Sequence, residues 1–148
     1  LVRDWSSDVC SSDLVSGGIG WGIAAAIGVQ LAQPHRRVVA VIGDGSSMYS
    51  PQALWTAAHL QLPITFVILN NRGYRILKER LIAFHSDQRF IGMDFKDPPI
   101  DIAALSTALG TPGKQINEPE EFITYFSESL KSTGPTLLEV MVEPGPSN

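Results

Sequence analysis

The sequence predicts a three-layer α/β/α sandwich built on a mostly parallel sheet, and three observations predict it. Strand candidates alternate with helix candidates along the chain. The strand candidates, Val38 to Ile42 and the run ITFVILN, are continuously apolar and β-branched, as strands covered on both faces are. Glycine and proline, 13 and 10 in 148 residues, mark the junctions between these runs. Alternating strands and helices form βαβ units, and such sheets bind ligands outside the carboxyl ends of their strands.

The elements follow in order. Residues 1–14, LVRDWSSDVCSSDL, are rich in Ser and Asp without a sustained period. They read as a non-native, artefactual leader, or else as a polar tail or linker, so no chemistry is assigned to them, and the domain proper is expected over residues 15–148. GGIGWGIAAAIGVQLAQP is a Gly-rich turn entering an apolar helix that Pro34 ends. Its many small residues predict a helix that is buried or lies at a subunit interface. RRVVAVIGDG is a buried strand closing on Gly43-Asp44-Gly45. Ser50 and Pro51 have the chemistry of a helix cap and first turn, for the helix PQALWTAAHLQ that Pro63 breaks.

ITFVILNN is the next buried strand, and RGYRILKERLIAFHS reads as a helix beginning just after Gly73. Residues 87–99 lose the pattern and form a loop. Asp101 can cap the helix DIAALSTALG, closed by Gly110. Asn117 and Glu120 form a capping box ahead of a helix that places Phe122, Ile123, Phe126 and Leu130 on one face. PTLLEVMV is the last strand.

Charge and composition narrow the functions. With 11 Lys and Arg against 15 Asp and Glu, a net charge of -4, the chain lacks the electropositive footprint of a nucleic-acid binder. No run of 18 apolar residues suggests a membrane span, and no basic stretch followed by an apolar segment suggests a signal peptide. A lone cysteine, Cys10, makes no intrachain disulfide, and a cytoplasmic protein is expected.

The chemistry concentrates where two strands end. Asp44 follows one strand and Asn71 ends the other; if those strands are neighbours, both polar side chains reach the same sheet edge. A carboxylate, an amide oxygen and backbone carbonyls suit magnesium or calcium rather than zinc. Gly43, Gly45 and Gly73 let the backbone approach an anion closely, and Ser46 and Ser47 offer donors to it. A metal-diphosphate site is one reading. A turn without a ligand, with the asparagine capping its own backbone, is the other.

GDGSSMYSPQALWTAAHLQLPITFVILNN resembles the thiamine-diphosphate motif, which opens on GDG and closes on NN. Here residues 46–69 separate the two halves. The flanking GGIGWGIAAAIGVQLAQPHRRVVAVIGDG and NNRGYRILK are also similar to that enzyme family, above all to its benzoylformate decarboxylase branch, with acetolactate synthase near by. The resemblance covers roughly Val15 to Val142. It implies the C-terminal, diphosphate-side domain of a multidomain 2-oxo acid decarboxylase, a lyase binding thiamine diphosphate and Mg2+. The alternatives it leaves are a synthase or flavin-linked oxidase of the same family, or a noncatalytic scaffold.

Position by position, the resemblance implies that Asp44, the Asn71 side chain and the Gly73 carbonyl ligate magnesium. Gly43, Gly45 and Ser46 would hold the diphosphate or its approach. The Gly17 carbonyl would accept from the aminopyrimidine, and Ile19 would wedge beneath the bent cofactor, holding an internal base beside the reacting carbon. Tyr74, with Ile76 and Leu77, would lie on the cofactor or substrate side. No catalytic residue is assigned to this chain, because the activating glutamate is expected on a separate pyrimidine-binding domain. That domain, a middle domain and a homodimeric or homotetrameric assembly are the partners implied.

The remaining conspicuous residues have plain readings. His35 is expected at the surface and His59 in packing, while His85 is the one histidine placed to contact a substrate. Trp21, Tyr49 and Trp55 read as core or interface anchors, and Lys78, Glu79 and Arg80 as a solvated face.

Overall fold

The computed structural model describes residues 19–86 and 88–144. Expectations for residues 1–14 and for Gly17 lie outside the described residues. The elements are α1 (Gly22–Ala32), β1 (Val38–Gly43), α2 (Asp44–Ser47), α3 (Ala53–His59), β2 (Ile64–Asn70), α4 (Arg75–His85), α5 (Ile102–Ala108), β3 (Gly113–Ile116), α6 (Pro119–Ser129) and β4 (Thr136–Met141). The four strands form one sheet in the order β1-β2-β4-β3, and every pairing is parallel. The expected parallel α/β architecture is present.

Side-chain alternation along β2 assigns the layers. Ile64, Phe66 and Ile68, all at 0% exposure, share one face and pack with Ile23, Ala26 and Ile27 of α1, Leu54 and Ala57 of α3, Ile102 of α5 and Leu137 of β4. Thr65 points the other way, and its hydroxyl donates to that of Ser129 in α6 at 3.3 Å. Helices therefore cover both faces, which is why β2 carries no polar alternation. Truncating Phe66 to Ala in this core would cost about 3–5 kcal/mol.

Gln30 fixes where β1 begins. It is 1% exposed; its amide donates to the carbonyls of Gln33 and Arg36, and its oxygen accepts from the Val38 N–H. One buried side chain thus satisfies three backbone groups between the end of α1 and the first residue of the strand.

Several local expectations change. Ser50 does not cap a helix: its hydroxyl donates to the Gly20 carbonyl at 2.8 Å, Pro51 lies in a turn, and α3 starts at Ala53. Asn117 and Glu120 form no capping box. The helix starts one turn position later with Pro119 in its first turn, and the Asn117 N–H donates to Glu121 instead. Ile123 is exposed rather than packed, and α1 buries only the face of Ile23, Ala26, Ile27 and Gln30, leaving Val29 and Leu31 in the open. Asp101 caps α5 as expected, accepting from the Ala104 N–H at 2.7 Å. Gly110, at φ +86°, closes that helix in the left-handed conformation glycine tolerates.

A candidate diphosphate and cation site at the ends of β1 and β2

The two strands that carry GDG and NN are hydrogen-bonded neighbours, with Gly43 in register with Leu69. Their carboxyl ends therefore deliver Asp44 and Asn71 to one edge of the sheet, because parallel strands end on the same side. Asp44 is 2% exposed. Its Oδ1 accepts from the Gly45 N–H at 2.8 Å, and its Oδ2 accepts from the Gly73 N–H at 3.0 Å, across 29 residues of sequence. Burial raises the Asp44 pKa above its ordinary value, and the backbone donors at Gly45, Gly73 and Arg72 pull against that rise.

The turn after β2 is built by side chains. Asn70 accepts the Arg72 N–H on its Oδ1 at 2.8 Å, an Asx turn that holds Arg72 at φ +61°. This leaves the Oδ1 of Asn71 buried with no hydrogen-bond partner. A buried acceptor without a donor costs roughly 1–3 kcal/mol, and native sites that carry such an atom normally satisfy it with a ligand or water. A hard cation would satisfy this amide oxygen together with the desolvated Asp44 carboxylate. Among the described residues no group of three or more His, Cys, Asp or Glu could hold a metal, so one carboxylate with neutral oxygens is the donor set on offer. It fits magnesium shared with phosphate oxygens.

Two glycines admit close packing here. A Cβ on Gly45 would stand 2.6 Å from the Tyr74 ring, and one on Gly73 would meet the Met93 carbonyl. Gly43 has open space beside it. The Ser46 hydroxyl accepts from the Gly20 N–H at 2.9 Å, which leaves its own proton to donate. Ser47 is buried and donates to the Asp44 carbonyl. Tyr74 packs edge-on against Phe95 at 4.9 Å between ring centroids; burial, then the neighbouring Tyr49, pushes its phenol pKa upward.

Asp44, Gly45, Gly73 and Tyr74 are thus brought into contact, and Gly20 joins the segment of Ile19 to Ser46. Ile19 itself is 41% exposed. A cavity of about 460 Å³ opens beside the turn, lined by Asp44, Asn70, Arg72, Lys96, Gln115 and Met141 among others.

Outside the site, His35 and His85 are exposed, and His59 is exposed but stacked on Trp55 at 4.9 Å. Trp21, Tyr49 and Trp55 are exposed rather than core. Lys78 is not solvated: it is 3% exposed and paired with Asp94 at 2.7 Å, and that pair pins residues 93–95 along the Arg72–Tyr74 backbone. Two residues of the site were not legible as such, Asn70 and Glu139. A glutamate inside the apolar run TLLEVM was the available signal for the second.

Fold and site together define a parallel α/β domain that gathers acceptor oxygens and close-packed glycines at the carboxyl ends of adjacent strands, where sheets of this kind bind their ligands. Comparison with known proteins narrows this. The profile of the thiamine pyrophosphate enzyme C-terminal TPP binding domain matches residues 6–140, and the chain belongs to that family. It is similar to the benzoylformate decarboxylase of Pseudomonas aeruginosa, 36% identical over 125 residues that cover 84% of this chain and 23% of the relative. It is also similar to the acetolactate synthase large subunit of Parasynechococcus marenigrum, at 33% over 142 residues, 89% of this chain and 23% of the relative.

Among solved structures, the thiamine diphosphate-dependent 4-hydroxybenzoylformate decarboxylase of Rhodococcus jostii RHA1 superposes with a TM-score of 0.82 at 39% identity, over 89% of this chain and 24% of that one. The chain spans about a quarter of the length of the relatives it matches.

Proposed function

We propose that residues 15–148 are the diphosphate- and magnesium-binding domain of a thiamine-diphosphate-dependent 2-oxo acid decarboxylase of the benzoylformate decarboxylase type. The observation that carries the reading is the buried, partnerless Oδ1 of Asn71, on a turn tied by the Gly73 N–H to the desolvated carboxylate of Asp44. The Asp44 and Asn71 side chains and the Gly73 carbonyl would hold the cation. Gly43, Gly45 and the free proton of Ser46 would face the diphosphate, with Ile19 and Gly17 on the aminopyrimidine side and Tyr74 beside the bound cofactor. Bound there, thiamine diphosphate supplies the electron sink for loss of carbon dioxide from a 2-oxo acid.

The glutamate that would activate the cofactor is assigned to a pyrimidine-binding domain on another segment or subunit, in a cytoplasmic dimer or tetramer. Among the described residues no helix is long and apolar enough to cross a membrane. Isothermal titration of thiamine diphosphate with and without Mg2+ tests the site. Binding that requires Mg2+ supports it, and equal affinity with and without Mg2+ defeats it. Similarity to acetolactate synthases favours a second reading, carboligation of two 2-oxo acids. Product analysis of the enzyme carrying this domain separates them: an aldehyde and carbon dioxide for the first, an acetohydroxy acid for the second.

A further inference from the structure

We propose that Glu139 is the positioning residue of the 70–73 turn, acting through Asn70; the inference rests on reading that turn as the cation-binding turn. Glu139 lies in β4, is 0% exposed and is in register with Ile68 of β2. Alternation puts Asn70, two residues beyond Ile68, on the same face. Its Oε1 accepts from the Asn70 amide at 2.5 Å, and its Oε2 accepts from the Ala103 N–H at 3.0 Å.

The amide of Asn70 has two ends with different duties. Its nitrogen is held by Glu139, so its oxygen is obliged to face the Arg72 N–H. That bond supports the left-handed backbone of Arg72, a conformation residues other than glycine rarely adopt. With Arg72 so folded, the Gly73 N–H reaches Asp44 and Asn71 Oδ1 stays unpaired. Two acceptor oxygens are needed, one for Asn70 and one for Ala103. Glutamine has one, and with that oxygen kept on the Ala103 N–H its amide group would turn Asn70 around and set two donors against each other at Arg72.

The test compares Glu139→Gln, Asn70→Ala and the double variant in this chain. Without ligand, Glu139→Gln is expected to speed amide hydrogen exchange at Arg72 and Gly73 at least tenfold relative to the β-strand amides of Ile42 and Ile68. Exchange at Arg72 and Gly73 unchanged, or raised only in step with the strands, overturns the proposal. With thiamine diphosphate present, Mn2+ affinity is expected to fall about tenfold in each single variant and no further in the double; effects that add overturn action through Asn70. If the unmodified chain takes no Mn2+, the cation reading fails while the exchange measurement still decides the role of Glu139. Should Glu139→Gln not fold, Asn70→Ala must show the same local exchange, and its absence refutes the link.

Discussion

The N–H of Gly73 donates to the Oδ2 of Asp44 at 3.0 Å, joining the turn after β2 to the turn after β1. The bond gives the Asp44 carboxylate a structural task besides the one proposed for it, and the two tasks respond differently to substitution.

Replacing Asp44 with Ala leaves the Gly45 and Gly73 N–H groups without their acceptor. A loss of roughly 1–3 kcal/mol of stability is expected, together with loss of the Mg2+-induced rise in melting temperature seen with thiamine diphosphate. Differential scanning fluorimetry with and without the pair of ligands checks it. A variant that keeps the Mg2+-dependent rise contradicts the assignment of Asp44.

Asn71→Ala removes an oxygen that has no partner, so ligand-free stability should stay within about 1 kcal/mol of the parent. Mg2+-dependent cofactor affinity should fall tenfold or more. A large destabilisation with intact affinity would show that Asn71 serves the fold instead.

Gly73→Ala and Gly45→Ala should differ. The first forces a Cβ against the backbone carbonyl of Met93, and the second against the ring of Tyr74, which can turn aside. Overpacking costs about 1–3 kcal/mol, and urea unfolding should place Gly73→Ala at the upper end and Gly45→Ala below it. The reverse order would mean that the Tyr74 ring is the more rigid neighbour.

The two carboxylates near this turn should answer acid in opposite senses. Asp94 is held below its ordinary pKa chiefly by the hydrogen bond from Lys78. Its stabilisation is present above the ordinary value of 3.8 and lost as pH falls through the depressed one. Asp44 is raised by burial, so its charge penalises the ligand-free fold at neutral pH, and that penalty is relieved as pH falls through the raised value toward 3.8. Denaturation of Asp94→Asn should show a deficit, roughly 1 kcal/mol for a partly exposed pair, that shrinks only at the acid end. Apparent Mg2+ affinity should weaken at a pH above 3.8, because a proton competes for Asp44. A deficit in Asp94→Asn that is independent of pH would refute the Lys78 pairing as its source.

What the sequence made legible follows from how far apart the interacting groups lie along the chain. β1, β2 and β4 were readable because burial in the sheet writes a mostly apolar run, and the Asp101 cap because its partner Ala104 is three residues away. β3 was not, because Gly113–Ile116 is four residues long with Lys114 and Gln115 exposed, as edge strands often are. Within the site only Asn71 had a role legible in the sequence, yet Asn70 shapes the turn while Asn71 presents a free oxygen. The distinction depends on Glu139, 69 residues beyond Asn70, and no local pattern carries it. Lys78 looked solvated for the same reason, its partner Asp94 lying across the loop.

Gly20 is gripped on both of its peptide groups, its N–H by the hydroxyl of Ser46 and its carbonyl by that of Ser50. The segment entering α1 is therefore clamped to the segment leaving β1, and the two form a caliper of set span rather than a pair of independent jaws. The separation between Gly20 and the start of α2 is thus set by the scaffold itself, through two serine hydroxyls on one short stretch of chain.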